Sequence, residues 1–295
     1  MIVAAVLMAC AAALLVAIPE KAEATFPGKN GKIAYVNNGV IYTINPGGGG
    51  KTKVTEGRDP SWSPNGKRIA FTGHDGHDYE IYTINATGGS RFNVTNNTSD
   101  DLQPSYSPDG KKIAYVAHRG TGEGSAQKYD SEIYTVNVGG GGRAKVTNDS
   151  AYDFGPSYLP DGKKIAYRSE SFGVKNDYEI YTINVGGGRR FNVTDNKSED
   201  SAPSYSPGGK KIAYEAYYTI NSDSEIYTIN AGGGGRFNLT NNNTSETEPS
   251  YSPNGKRIAF SGWDGHDWEI YTINVGGGGR VKVTKGGSPS WGSLP

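Results

Sequence analysis

An all-β fold is predicted: a six-bladed β-propeller of four-stranded antiparallel blades, its ring closed by the C-terminal strand completing the first blade. Three observations predict it. Four short strand-like elements recur in fixed order, six times each. Turn-forming residues separate them at fixed offsets. Residues 289–295, PSWGSLP, repeat the opening of a unit whose other three elements stand at the start of the array.

The first element, P-S-[WY], begins at Pro60, Pro104, Pro156, Pro203, Pro249 and Pro289. The second, I-A-[YF], begins at Ile33, Ile69, Ile113, Ile165, Ile212 and Ile258. The third, I-Y-T-[IV]-N, begins at Ile41, Ile81, Ile133, Ile180, Ile226 and Ile270. The fourth ends in V-T or L-T at Thr55, Thr95, Thr147, Thr194, Thr240 and Thr284. Each is four or five residues of β-branched and aromatic composition, which is strand material. S-P-[DN]-G-K joins the first two as a hairpin turn, with Pro setting φ and Gly taking positive φ. N-x-G-G-G joins the third and fourth. Each unit is therefore a meander A-B-C-D, and six of them arranged radially make a propeller.

The array opens on strand B of blade 1, so its strand A must come from residues 289–295. Deleting those residues is expected to open the ring and to lower stability greatly.

The repeat resembles the TolB-type propeller repeat, with its P-S-W-S-P-D-G-K-x-I-A-[FY] followed by [DE]-I-Y. The resemblance covers about residues 29–295. It implies the fold, export and a role as an interaction scaffold, and it carries no catalytic residue across. The N-terminal α/β domain of TolB and the hydrolase domain of propeller peptidases are not expected within this sequence.

Composition agrees. The chain has 295 residues, 43 of them Gly and 20 Tyr, with two Met. Its 30 basic and 30 acidic residues balance, which excludes a generally basic nucleic-acid binder. Residues 2–18 form an apolar run followed by Ala22-Glu23-Ala24. The pattern predicts a signal peptide over residues 1–24 and an exported single-domain propeller, periplasmic, extracellular or at the cell surface, over residues 25–295. An uncleaved anchor is the alternative, at the short limit for a span. The only cysteine, Cys10, lies in that leader, in a poor lipoprotein box beside Met8. The mature chain is expected to have no disulfide and no membrane span, and to be a monomer.

In such a disc the A–B and C–D turns share one face, and the B–C loops and D–A connections share the other, the top. The top loops vary, with long B–C members at 119–131, 169–178 and 216–224. By sequence, 26 of the 30 acidic residues fall on the top against seven basic ones, which predicts an acidic top and a basic bottom. The plainer reading is that repeated turns repeat their charges.

Two B–C loops are near copies, GHDGHDYE (73–80) in blade 2 and GWDGHDWE (262–269) in blade 6. They flank blade 1, whose own connection is only Asn37-Asn38-Gly39, and so predict a notch. Asp75, His77 and Asp78 would line one wall, and Asp264, His266 and Asp267, with Trp263, the other. Carboxylates beside imidazoles suit a divalent cation such as calcium. The competing reading is that each Asp-Gly is a turn whose Asp caps backbone amides. Glu80, Glu132, Glu179, Glu225 and Glu269, each before I-Y, are either a carboxylate ring for a cation or, on the repeat's evidence, acceptors for backbone amides. Trp263, Tyr152, Phe154, Phe172, Tyr217 and Tyr218 in top loops suit sugars or a basic extended peptide, or pack the loops together.

No G-x-S-x-G, H-E-x-x-H or C-x-x-C occurs. The first functional reading is therefore a non-catalytic scaffold for a protein, peptide or glycan. The second is a metal-assisted enzyme of lyase or lactonase type at the notch.

Overall fold

The computed structural model describes residues 27–121, 128–170, 177–218 and 223–295, the side chains of 119–121 and 128–130 excepted. The leader (1–24), Phe172 and the tips of the three long B–C loops lie outside the described residues. No helix among the described residues is long and apolar enough to cross a membrane.

Six four-stranded antiparallel sheets form, each in the order A-B-C-D. Blade 1 takes its strand A from Gly287–Ser293 and its B, C and D from Asn30–Asn37, Val40–Ile44 and Thr52–Glu56. Blade 2 is Arg58–Trp62, Arg68–His74, Tyr79–Asn85 and Phe92–Asn93. Blade 3 is Asp100–Tyr106, Lys112–Thr121, Lys128–Asn137 and Ala144–Lys145. Blade 4 is Asp153–Tyr158, Lys164–Glu170, Tyr178–Asn184 and Phe191–Asn192. Blade 5 is Glu199–Tyr205, Lys211–Tyr218, Asp223–Asn230 and Phe237–Asn238. Blade 6 is Glu246–Tyr251, Arg257–Trp263, Trp268–Asn274 and Val281–Lys285.

The predicted closure is present. Ile33 pairs with Trp291 and Ala34 with Ser290. Ser293 Oγ donates to Pro64 O at 2.8 Å, and Trp62 Nε1 donates to Ser290 O at 3.1 Å. A Cβ on Gly292 would sit 2.5 Å from the Trp62 ring, so the closing strand needs glycine there.

Strand B is buried on both faces. The Ile and Ala of I-A-[YF] and the ring that follows are 0% exposed in all six blades. That explains a continuous apolar run where a half-buried strand would alternate. Six apolar clusters result, each spanning one seam. Trp291 joins Ile33 of blade 1 to Ala259 and Ile270 of blade 6, and Trp62 joins blades 1 and 2. The strand-A aromatics are wedges between neighbouring blades. The serine beside them adds a bond: the hydroxyls of Ser61, Ser105, Ser157, Ser204 and Ser250 accept the amide of the next blade's Tyr106, Tyr158, Tyr205, Tyr251 and Trp291 at 3.0–3.4 Å.

Strand D departs from the expected four or five residues. It has only two in blades 2 to 5, and five in blades 1 and 6. The D–A connection decides this. Where it is long, the threonine of V-T turns inward: Thr95, Thr147, Thr194 and Thr240 each accept the amide of the strand-C isoleucine at 2.9–3.0 Å. Where it is short, Gly57 and Gly286 make the turn at φ 145° and 143°. A Cβ at either would lie 2.6 Å from the Phe71 or Tyr35 ring.

In every blade the A–B register slips just before P-S. The residue there has positive φ: Asp59, Gln103, Gly155, Ala202, Glu248 and Ser288, between 49° and 59°. Only glycine adopts this conformation without strain, and other residues meet a cost of about 1–2 kcal/mol. Ala202→Gly should therefore raise the unfolding free energy by up to about 1 kcal/mol, net of the added freedom of the unfolded chain. Ala202→Val should lower it. Denaturant unfolding of both variants checks this, and equal losses in both would contradict it.

Candidate functional site

The bulge carries the residue before each P-S to the mouth of the central channel, on the top face. There a funnel of about 310 Å3 is lined by Asp59, Gln103, Phe154, Arg168, Glu215, Glu248 and Ser288, among others. Two positions of the repeat build this ring: the residue before P-S and the residue after I-A-[YF]. They compensate one another. Gly155 and Ala202 are small where Arg168 and Glu215, in the same blades, are long. Asp59 and Glu248 are paired with the short Thr72 and Ser261, whose hydroxyls donate to them at 2.9 and 3.1 Å.

Bonds also run from blade to blade around the mouth. Gln103 N donates to Thr72 Oγ1 at 3.1 Å, and Gly155 N to Gln103 Oε1 at 2.9 Å. Ser288 N and Oγ donate to Glu248 at 2.8 and 2.9 Å. Within blade 5, Ser224 Oγ donates to Glu215 at 3.0 Å. Burial raises the carboxyl pKa of Asp59 and of Glu215, against the hydrogen bonds each accepts. The Arg168 guanidinium lies 3.8 Å over the Tyr178 ring. The mouth thus sets three carboxylates against the Arg168 guanidinium, and Arg58 Nε lies 3.8 Å from Asp59 at its edge.

The predicted low blade is present, but the two D-G-H-D loops border different spaces. A recess of about 340 Å3 between blades 1 and 2 is lined by Gly39, Glu56, Arg58, His74 and Tyr79. Another of about 590 Å3, between blades 6 and 1, is lined by Asn37, Asn38, Glu248, Asp267, Trp268 and Lys285. Asp75, His77 and Asp78 line neither, nor do Asp264 and His266; Trp263 faces a third space, between blades 5 and 6.

Both loops are self-capped turns. Asp75 Oδ1 accepts the amides of His77 and Asp78 at 2.7 and 3.1 Å, and Asp264 Oδ1 those of His266 and Asp267 at 3.0 and 2.9 Å. The Asp78 and His77 amides hold the Asp75 carboxyl below its usual range, the His77 amide foremost. The Asp267 and His266 amides, with Lys282, lower Asp264 to about 2. Lys282 and Lys285 pair with Asp264 and Asp267 at 3.3 and 2.7 Å. Asp75, Asp78 and the buried Glu80 offer ligand oxygens within 4.8 Å of one another; His77 is outside that group.

The family model described as the TolB beta propeller domain matches residues 40–132 and 171–293, well over half of the sequence. The chain belongs to the TolB β-propeller domain family. A protein TolB homolog of Chlorobium luteolum is 29% identical over 140 residues, 45% of this chain and 29% of that protein. This chain therefore matches under a third of its curated relative's length. The crystal structure of TolB from Acinetobacter baumannii superposes with a TM-score of 0.71 at 25% identity, over 91% of this chain and 67% of that one. An oligogalacturonate lyase in complex with manganese superposes with a TM-score of 0.59 at 16% identity, over 83% of this chain and 70% of that one; at that identity the likeness shows the fold alone.

In this TolB-type propeller the acidic top is weaker than its sequence count. Among the described residues, nine of the carboxylates counted there are buried: Glu80, Asp101, Glu132, Asp153, Glu179, Asp200, Glu225, Glu246 and Glu269. Most of them hold the long D–A connections. Glu80, Glu179 and Glu225 take the hydroxyls of Thr95, Thr194 and Thr240 and the amides of Asn97, Asn196 and Asn242 at 2.5–2.7 Å. Glu132 takes the Asp149 amide at 3.1 Å, and Glu269 pairs with Lys282 at 2.8 Å. Of the two readings of these glutamates, the amide acceptor describes four of the five. Asn97 and Asn196 then donate to Asp101 and Asp200 at 2.6 and 2.7 Å, and Arg280 reaches Glu246 at 3.0 Å.

Burial raises Asp101 and Asp153 to about 7, despite the bonds from Asn97 and Ser169. A folded-state pKa raised above the ordinary 3.8 means the folded chain holds the proton more tightly than the unfolded one. The stabilisation is full below the ordinary carboxylate range and is lost as pH rises towards 7. Asp153→Asn should therefore gain on the wild type in unfolding free energy from pH 4 to about 7, and then level off. Denaturant unfolding across that window checks it; a difference independent of pH would contradict it.

Proposed function

We propose that this propeller is an exported, non-catalytic scaffold that holds a protein, peptide or glycan on its top face, with a basic extended segment seated at the channel mouth. One observation carries the reading: three carboxylates, Asp59, Glu215 and Glu248, converge on a rigid, hydrogen-bonded mouth beside the guanidiniums of Arg168 and Arg58. Such a mouth attracts cationic side chains and fixes an extended backbone against fixed acceptors. Rim groups, the exposed Asp75, His77, Trp263, Asp264 and His266 and the half-buried Asp78 and Asp267, would widen the contact. Export is supported by the leader-like segment 1–24 and by the family.

Fluorescence anisotropy with a labelled Lys-Gly repeat peptide and a Glu-Gly control tests this. The basic peptide should bind, more weakly as salt rises. Glu215→Gln, which keeps an acceptor for Ser224, should weaken it by about tenfold, or about 1.4 kcal/mol, at unchanged melting temperature. Equal binding of both peptides, or no effect of Glu215→Gln, would contradict the reading.

A second reading, a divalent cation such as calcium in a metal-assisted site, is favoured by the Asp75, Asp78 and Glu80 group. It predicts a melting temperature that rises from EDTA to millimolar calcium. Asp78→Asn should abolish the rise. No rise with calcium, manganese or zinc would remove it.

A further inference from the structure

A further space lies away from the channel, between blades 5 and 6. It encloses about 910 Å3 and is lined by Tyr218, Asp223, Tyr227, Asn241, Asn243 and Trp263, among others. We propose that this groove binds a neutral oligosaccharide, one pyranose face lying on the Trp263 indole and its hydroxyls on the Asn241 and Asn243 amides. The proposal rests on and deepens the glycan part of the scaffold reading, and its site is separate from the peptide seat at the mouth.

Trp263 is presented to solvent by a fixed backbone. Its amide donates to Ser245 O at 2.9 Å, extending the A–B ladder of blade 6, and its ring stands edge-on to Trp268 with centroids 5.7 Å apart. It is still 37% exposed, and Trp268 39%. The fold does not require an indole pair there. The blade 2 loop makes the same turn, Asp75 N to Asp78 O at 3.1 Å against Asp264 N to Asp267 O at 3.1 Å, with His74 and Tyr79 in those places. The indoles are therefore an addition to the turn and not a condition of it.

The opposite wall is amide-rich, and its parts divide by task. Asn242 is consumed by the fold: its amide donates to Glu225, its side chain to Glu246, and its oxygen accepts Thr244 N at 2.7 Å. Its neighbours Asn241 and Asn243 are exposed, and Asn241 is held at φ 43° with its backbone amide on Asn238 Oδ1 at 3.0 Å. Tyr227 is fixed by Asn238 on its hydroxyl at 3.1 Å and by Arg236 4.0 Å over its ring, and Tyr218 packs 6.2 Å from it.

Charge separates the candidate ligands. Among the described residues no Lys or Arg lines the groove, and of the two carboxylates there Glu225 is buried and bonded, leaving Asp223. The Arg236 guanidinium beside the groove is engaged over the Tyr227 ring, and a cationic peptide finds fewer carboxylates than at the mouth. A polyhydroxylated neutral ring matches both walls: apolar C–H on a flat indole, hydroxyls on amides that both donate and accept.

Isothermal titration of the full chain with cellotetraose, maltotetraose and chitotetraose tests the proposal. At least one should bind saturably, with a dissociation constant of about 1 mM or tighter. Trp263→Ala should weaken it at least about tenfold without changing the melting temperature, and Asn243→Ala severalfold. Glu215→Gln, at the mouth, should leave it unchanged, so the two readings fail separately. No saturable heat with any of the three sugars, or wild-type affinity in Trp263→Ala, overturns it.

Discussion

The serine hydroxyl of P-S-[WY] accepts the amide of the aromatic residue in the next blade, while that aromatic ring fills the seam between them. Each such bond contributes about 0.5–1.5 kcal/mol net, and each buried aromatic several times that on truncation. The arrangement constrains everything else. Strand A must lie at the channel with its serine facing the neighbouring blade. Strand B must present small Ala to one sheet and a large ring to the other. The last seam can close only if Trp291 meets both Ser250 and Ile33.

The functional surface follows from the same constraint. Because the serine and aromatic are committed to the seam, the chain must slip its register just before them. That bulge turns one residue per blade into the channel mouth at positive φ. The position is strained for five of its six occupants, and strain of this kind is found where a site is held rigid. Deep burial on the outer side has the opposite use. There Glu80, Glu179 and Glu225 serve the D–A connections and leave little field for a ligand.

Most of the fold was legible because each requirement of the seam recurs six times. The four elements, the positive φ of Gly66 and its counterparts, and the closing strand all follow from the repeat. The two-residue strand D was not legible: V-T reads as strand until Thr95 is seen turned onto Ile81. The site was hidden for a different reason. Repetition draws the eye to constant positions, whereas the mouth is built from the two that vary, Asp59 through Ser288 and Val36 through Ser261. Their signal was present as changing charge inside a fixed frame, with Gly155 and Ala202 small where Arg168 and Glu215 are long. The D-G-H-D loops, by contrast, owe their repeated aspartates to their own turns, as the cap on Asp264 shows.

Native-state hydrogen exchange of the full chain is the most direct test of seam dependence. If the seams hold the ring as one unit, the Trp291 amide, bonded to Ser250, exchanges with the same free energy as the amides of Tyr106, Tyr158, Tyr205 and Tyr251. That common value equals the global unfolding free energy. If Trp291 exchanges by a local opening well below that value while the other four stay protected, the closing strand is an appendage and the ring does not depend on it.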